Sequence, residues 1–296
     1  MNRNLLLGLL AASAAIVIGS GWQLVSRYGV TTTLGPVDLA LMRYGIPALL
    51  LGPLHFRRGF LPPTASRRAL VVMVLGGGLP FGLLVLAGAR WAPAAHIGVV
   101  LAGSVPLFTV VAAWALRGER IGRWRALGLA CITCGMLVFA QGSLGDASSS
   151  WRGDILFVAA AVLWAAYSLS FKLCGMTPWQ GAAFVNGCST VLLLPLLIGF
   201  GLPKLVSAPW HDIAIQALAQ GLIAGVLGVV VYTATIARLG ASSASLTLAL
   251  VPVVTTLGAA WMLHEPITSA TLFALALVVP GVALASGLVR RTTKDN

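Results

Sequence analysis

The chain has 296 residues, of which 58% are hydrophobic and only 9% are charged, whereas a soluble domain carries about 25% charged residues. With so little polar chain, we do not expect a soluble enzyme or a receptor with a large extramembrane head. The formal net charge of +12 suggests nucleic acid at first, but the basic residues follow the loops of a membrane topology. We therefore predict a membrane protein without a nucleic-acid partner.

Apolar segments long enough to cross about 30 Å of hydrocarbon recur along the whole chain. We count ten, at about 5–26, 37–54, 69–89, 94–116, 126–142, 154–173, 181–202, 213–237, 242–262 and 269–289. The first resembles a signal peptide, because Arg3 precedes its apolar run. However, its Trp22 and Arg27 have counterparts further along the chain. These are Tyr167 and Lys172 in the sixth segment, so we expect the first segment to be retained as a helix.

Glycine and proline predict irregular helices at five positions. Gly78 and Pro80 lie in a Gly-Gly-Gly-Leu-Pro run in segment three, where Gly weakens a helix and Pro removes a donor. Pro106 and Pro252 lie in segments four and nine, and Gly228 ends a row of small residues in segment eight that favours close helix packing. We assign these five residues as hinge or structural positions.

The basic residues are divided unequally between the two sets of loops. One set holds only Arg27, Arg90, Arg152 and Lys204, whereas the other Lys and Arg residues except Arg43 lie in loops on the side of the N-terminus. Because Lys and Arg concentrate in cytoplasmic loops, both termini are predicted to be cytoplasmic.

A short pattern occurs twice along the chain. The first copy is Pro106, Trp114, Glu119, Ile121 and Gly135, and the second is Pro252, Trp261, Glu265, Ile267 and Gly281. Since five segments is an odd number, the second half enters the membrane from the opposite side. We predict an all-α polytopic membrane protein of ten transmembrane helices in two inverted five-helix repeats. The repeats are 1–143 and 153–296, joined by the linker 144–152, and a binding site is expected where they meet.

The duplication, with Pro106 and Pro252 each followed by a glutamate, resembles the drug/metabolite transporter superfamily, in particular its branch with two EamA-type repeats. Within that branch the chain is similar to the YddG-like aromatic amino acid exporters. The resemblance implies a carrier of the bacterial inner membrane that moves small metabolites outward. It also implies a cavity lined mainly by segments three, four, six, eight and nine. One departure is that the second copy reads His264-Glu265-Pro266 where the first reads Gly118-Glu119-Arg120.

Several side chains are candidate ligands of a substrate in that cavity. Trp164, Tyr167 and Ser168 share one helical face of segment six with Phe171, and they offer flat apolar surface and hydroxyl groups. His96 in segment four either binds substrate or carries a proton, or else it bonds a neighbouring helix at the interface. The predicted substrate-binding residues are His96, Trp164, Tyr167, Ser168, Phe81, Tyr232, Ser242 and Ser245.

The charged residues within segments are few. No Asp or Glu lies deep in any segment, and a charge at mid-bilayer costs about 2.5–3.5 kcal/mol and usually marks a function. We therefore expect facilitated rather than strictly proton-coupled transport. Arg43 is the exception; we expect it to extend to the outer interface, with pairing to a carboxylate as the alternative. Glu119 and Glu265 are expected to stabilise the N-termini of the helices that follow them.

The remaining chemistry predicts neither a cofactor nor an enzyme. Cys131, Cys134, Cys174 and Cys188 all fall in apolar segments, where they are expected to be small buried hydrophobes rather than metal ligands. The four His are dispersed, with no catalytic cluster. We predict a monomeric exporter of small metabolites, aromatic amino acids included, in contact with membrane lipids. A multidrug exporter of lipophilic cations is the alternative.

Overall fold

The computed structural model describes residues 3–58, 65–118, 120–144, 149–200, 204–239 and 241–285. Within these residues the chain forms ten helices and no strand. They are α1 (Arg3–Thr31), α2 (36–58), α3 (Arg67–Trp91), α4 (94–117), α5 (Arg123–Leu144), α6 (Trp151–Leu173), α7 (Pro178–Phe200), α8 (Trp210–Leu239), α9 (Ala241–Met262) and α10 (Ser269–Ala285). Helices are expected here because a chain in hydrocarbon must satisfy its own backbone groups.

The helices have the length and composition of membrane spans. Over the described residues, seven are long and apolar enough to cross a bilayer, and Leu250–Met262 and Ser269–Ala285 are shorter apolar helices. The predicted class, an all-α polytopic membrane protein, is confirmed. The helix ends differ from those that hydropathy predicts; α1, for example, continues past residue 26 to Thr31.

The two halves interlock in a pattern that repeats when the halves are exchanged. Three helices pack on their own counterparts: α5 on α10, α2 on α7 and α4 on α9. In addition α1 packs on α8 and α9, and the matching helix α6 packs on α3 and α4. Such exchange of contacts is what a two-fold axis between two inverted repeats produces.

Four helices are irregular near the middle of the bundle. α3 is interrupted at Gly78, and wider π-helical turns occur at Leu41–Gly45 in α2, Ile97–Ala102 in α4 and Ala217–Gly228 in α8. Such turns occur frequently at functional sites. Irregular helices in corresponding positions of two repeats indicate a transporter's binding region.

Neighbouring helices stabilise the break in α3. The hydroxyl of Tyr44 in α2 donates a hydrogen bond of 2.6 Å to the Gly78 carbonyl, and the N–H of Leu79 donates one of 3.0 Å to Ser189 Oγ in α7. A side chain at Gly78 would collide with the Ser189 hydroxyl. Backbone groups freed by the break therefore find partners without water. The break lies where the sequence predicts it, and the hinge role of Gly78 and Pro80 stays a prediction.

The row of small residues in α8 does bring another backbone close, as predicted. A Cβ atom at Gly225 would lie 2.8 Å from the carbonyl oxygen of Arg43 in α2, and a Cβ atom at Gly221 would collide with Ile46. Close contact between α2 and α8 fixes the position of the helix turn that carries Arg43.

Candidate substrate-binding cavity

A cavity of about 90 Å³ lies between the two halves. Its lining residues are Ala15, Ile18, Gly19, Trp22 and Gln23 of α1, Arg43 of α2, Phe81 of α3, Leu101, Ala102 and Val105 of α4, Trp164 of α6, Ala224, Gly228, Val229 and Tyr232 of α8, and Val251 of α9. Small-molecule sites typically measure about 300–1,000 Å³. The cavity must therefore widen to enclose a metabolite.

Four aromatic rings, one each from α1, α3, α6 and α8, form a continuous wall that we call the aromatic cluster: Trp22, Phe81, Trp164 and Tyr232. The ring centroids of Trp22 and Phe81 are 5.9 Å apart, and those of Phe81 and Trp164 are 4.7 Å apart. Trp164 and Tyr232 follow at 5.2 Å. These separations are those of favourable aromatic pairs, so the cluster offers a preformed surface for a planar apolar group.

The structure brings five of the predicted binding residues together. Phe81, Trp164 and Tyr232 line the cavity. Tyr167 lies behind Trp164, with ring centroids 5.0 Å apart, and no described residue bonds its buried hydroxyl. Ser168 Oγ lies 3.1 Å from the Tyr232 hydroxyl and also donates to the Trp164 carbonyl. Ser168 therefore holds two members of the aromatic cluster in place.

The other predicted binding residues are placed differently. His96 is not among the residues that line the cavity. Its Nδ1 lies 2.8 Å from Oδ1 of Asp154 in α6, and its ring meets the edge of Phe139 at 4.4 Å. The side chains of Ser242 and Ser245 fall outside the described part of the chain, so their role stays a prediction.

Arg43 does not extend to the interface, and that expectation was wrong. Its side chain lines the cavity and the residue is only 4% exposed. The guanidinium carbon lies 5.7 Å from the ring centroid of Trp22 and 5.4 Å from that of Tyr44. Arg43 remains inside because the wide turn of α2 faces the hollow centre rather than lipid, and the two ring faces attract a cation.

Side-chain amides extend from the cavity wall into the contact between α1 and the second half. The indole N–H of Trp22 donates to Oε1 of Gln220 at 2.8 Å, and Nε2 of Gln220 donates to Ser26 Oγ at 2.9 Å. Gln23, which lines the cavity, accepts a hydrogen bond of 2.8 Å from the Thr255 hydroxyl. These glutamines were not among the residues predicted from the sequence, although an amide within an apolar segment is itself a signal of an interhelical contact.

A second polar region, which we call the end cluster, lies where α3 turns into α4. It consists of Arg27, Ala94, Glu265 and the pair His96–Asp154. Glu265 accepts hydrogen bonds from Arg27 Nε at 3.1 Å and from the Ala94 N–H, in the first turn of α4, at 2.8 Å. Glu265 thus stabilises a helix N-terminus, although it is that of α4 in the opposite half rather than that of the following helix. Glu119 lies outside the described residues.

Three carboxylates of the described chain are buried, each at the start of a helix rather than deep in a span. Asp38, Asp154 and Asp212 are each less than a tenth exposed. Each lies in the first turn of its helix, where free N–H groups and the helix dipole stabilise a negative charge. None of the three lines the cavity. Among the described residues, no three His, Cys, Asp or Glu side chains come close enough to hold a metal ion.

Comparison with known proteins decides the family. The sequence profile of the EamA-like transporter family matches residues 6–141 and again residues 151–287. The chain belongs to this family. EamA-like transporters form part of the drug/metabolite transporter superfamily, so this chain is a multi-pass membrane transporter, and its two matched regions agree with the repeated fold.

Individual relatives of this EamA-like chain are distant. It is 28% identical over 268 residues to the uncharacterized transporter YyaM of Bacillus subtilis, covering 86% of each chain. It is 29% identical over 266 residues to a probable terminal-alkyne amino-acid exporter of Streptantibioticus cattleyicolor, covering 84% of each chain. A solved crystal structure matches with a TM-score of 0.67 at 23% identity, covering 96% of this chain and 98% of the other. That likeness shows the fold alone.

More helices line the cavity of this EamA-like chain than the resemblance implied. Segments three, four, six, eight and nine all contribute to its wall, but α1 contributes five residues and α2 contributes Arg43. α1 and α2 therefore belong to the candidate site, together with the helices that the sequence predicts.

Proposed function

We propose that this transporter exports small metabolites, aromatic amino acids included, across the bacterial inner membrane by alternating access. The observation that carries the proposal is the cavity between the two halves with the aromatic cluster on its wall. A site at the junction of two inverted repeats becomes accessible from either side when one repeat moves against the other. The irregular helices α2, α3, α4 and α8 border this site and are suited to such a movement.

Amino acids are the favoured cargo for two reasons. The wall is mainly apolar, with hydrogen-bonding groups at only a few points such as Gln23, Arg43 and Tyr232, which suits a molecule with one apolar and one polar end. In addition, one relative that covers most of the chain is named as a probable amino-acid exporter. Its terminal-alkyne substrate is a property of that protein.

Transport is proposed to be facilitated rather than strictly proton-coupled. No Asp or Glu is among the described residues that line the cavity, and the partly buried pair His96–Asp154 lies outside that lining. A zwitterionic amino acid carries no net charge, so the membrane potential does no net work on it. Export then follows the concentration gradient, which supplies about 1.4 kcal/mol for each tenfold ratio.

The alternative, export of lipophilic cations, is disfavoured by the charge of the wall. Recognition of a cation requires an acidic group or an aromatic cage. The described lining residues include no acid, and Arg43 places a positive charge against the rings of Trp22 and Tyr44. A second cation in the same cavity would be repelled.

The proposed orientation places both termini in the cytoplasm, as the distribution of Lys and Arg indicates. Lipid is the proposed neighbour of exposed apolar side chains such as Leu49, Ile198 and Trp261. We propose that a monomer suffices for transport, since both halves of the cavity wall come from one chain.

The experiment is uptake of radiolabelled L-phenylalanine into proteoliposomes preloaded with unlabelled L-phenylalanine. The proposal predicts saturable exchange that is abolished by Trp164→Ala, preserved in the exposed control Trp261→Ala, and unchanged by a pH gradient. Exchange that occurs only with a pH gradient would overturn facilitated transport. Exchange of a lipophilic cationic dye but of no amino acid would overturn the proposed cargo.

A further inference from the structure

Arg43 is a buried cation with free hydrogen-bonding capacity. Only 4% of the residue is exposed, yet no described residue accepts a hydrogen bond from its Nε or its Nη1. Within the described part of the chain, its guanidinium lies against the ring faces of Trp22 and Tyr44. A charge taken out of water without a partner is strongly unfavourable, so this arrangement requires an explanation.

None of the described carboxylates forms an ion pair with Arg43. Asp38, on the same helix as Arg43, accepts a hydrogen bond of 2.9 Å from the N–H of Gly35 at the start of α2. The ion pairs among the described residues are Arg27–Glu265, His96–Asp154 and His211–Asp212, and none of them includes Arg43. Arg43 therefore has no internal counter-ion within the described part of the protein.

The guanidinium also lies where an external anion can reach it. Arg43 lines the cavity between the halves, beside Trp22 and in the same lining as Trp164 and Phe81. A ligand of opposite charge would supply the partner that this buried guanidinium lacks, and charged groups inside the membrane usually mark a functional site. Arginine is well suited to the task, because its planar fork of donors matches a carboxylate.

We infer that Arg43 binds the carboxylate of the cargo, while the aromatic cluster binds its apolar side chain. This inference rests on the proposed function of the cavity as the cargo site. It narrows the substrate class to monocarboxylates with an aromatic or other apolar group. Because the described wall contains no acid to receive an ammonium group, the carboxylate is the required group and the amine is not.

Three ligands that share a phenyl ring but differ in their charged groups test the inference. Purified protein is titrated with L-phenylalanine, with 3-phenylpropionate, which lacks the amine, and with 2-phenylethylamine, which lacks the carboxylate. Binding is followed as the rise in melting temperature of the protein. L-phenylalanine and 3-phenylpropionate are expected to stabilise the protein, whereas 2-phenylethylamine is not. Equal stabilisation by 2-phenylethylamine would overturn the inference without any substitution.

The matched variants are Arg43→Gln, which removes the charge, Arg43→Lys, which keeps it without the planar fork, and the control Arg90→Gln at an exposed site. Arg43→Gln is expected to weaken binding of 3-phenylpropionate about 10- to 100-fold, the equivalent of ~1.5–3 kcal/mol for a hydrogen bond to a charged group. Arg43→Lys should lose less, and Arg90→Gln should bind like the wild type. Without ligand, Arg43→Gln should melt no lower than the wild type, because it removes an isolated buried charge.

The outcomes separate this inference from the proposed function. If a folded Arg43→Gln variant binds carboxylates as tightly as the wild type, the inference is wrong even when amino acids are transported. If 3-phenylpropionate binds through Arg43 but proteoliposomes transport no amino acid, the carboxylate site stands and the proposed amino-acid cargo is wrong. If Arg43→Gln does not fold, the three-ligand comparison on the wild type still decides.

Discussion

Charged side chains have different surroundings in two polar regions of the bundle. In the end cluster, Asp154 and Glu265 are bound by groups of the opposite half, His96 in one case and Arg27 with the Ala94 N–H in the other. In the cavity, Arg43 lies against the aromatic faces of Trp22 and Tyr44 and forms no ion pair with a described residue. Paired charges hold the two halves together, whereas an unpaired charge leaves a place for a ligand. The comparison thus separates groups that stabilise one conformation from groups that are available to the cargo.

The largest effect is expected at the aromatic cluster. Trp164 contacts the rings of Phe81, Tyr167 and Tyr232 at 4.7, 5.0 and 5.2 Å. Because the residue is only half-buried, Trp164→Ala should lower the free energy of unfolding by about 3 kcal/mol, the lower end of the range for a large aromatic in a core. It should also abolish binding of aromatic cargo. The matched control is Trp261→Ala, because that ring is 79% exposed. Chemical denaturation in detergent measures the stability of both variants. Equal losses of stability in the two variants would contradict the role of Trp164.

A smaller effect is expected in the end cluster. Glu265→Gln keeps the shape of the side chain but weakens its bonds to Arg27 and to the Ala94 N–H, so we expect a loss of about 1–3 kcal/mol in the free energy of unfolding. The affinity for cargo, measured by thermal shift, should change little, because Glu265 does not line the cavity. A loss of cargo binding with unchanged stability would place Glu265 in the site instead.

His96 provides a test that distinguishes the two regions directly. If the His96–Asp154 contact stabilises the end cluster, a double-mutant cycle of His96→Ala and Asp154→Ala should show a coupling of about 0.5–3 kcal/mol in stability. The KM for L-phenylalanine should then stay near the wild-type value. Should KM rise tenfold with no coupling in stability, His96 is a substrate ligand, as the sequence predicts.

The smallest effect is expected for the pair His211–Asp212, in which the histidine is exposed and the aspartate is buried. The atoms His211 Nε2 and Asp212 Oδ1 are 3.2 Å apart, but the His211 side chain is 62% exposed. Exposed ion pairs contribute about 0–1 kcal/mol, so His211→Ala should leave both stability and transport close to those of the wild type. A loss as large as that of Glu265→Gln would mean that the end cluster has no special role.

The fold was largely predictable because its main determinant is local. A continuous apolar segment in lipid must be helical, and the repeated Pro, Glu, Ile and Gly positions reveal the duplication. Helix ends were less predictable. α1 continues through Arg27 to Thr31, and Glu265, far away in the sequence, binds the Arg27 side chain in this last part of the helix. Hydropathy contains no information on such a partner.

The site was predictable only where residue type alone is informative. Phe81, Trp164 and Tyr232 were found because aromatic rings in segments of a carrier are natural candidates. The position of Arg43 was predicted wrongly, because hydropathy treats any charge in a segment as unfavourable. It does not show that this helix faces the cavity rather than lipid. The five α1 residues of the wall were missed for a related reason, since small residues such as Gly19 look alike on a lipid-facing and a cavity-facing surface.

The most direct test of the account is the reactivity of a cysteine on the cavity wall. In a variant whose four native cysteines are replaced by serine, Ala102→Cys on the wall is compared with Ser207→Cys, at an exposed position between α7 and α8. A water-soluble thiol reagent should modify both cysteines. Saturating L-phenylalanine should slow the modification at 102 and leave that at 207 unchanged. If the cysteine at 102 never reacts, or reacts at the same rate with cargo present, the cavity between the halves is not the path of the substrate.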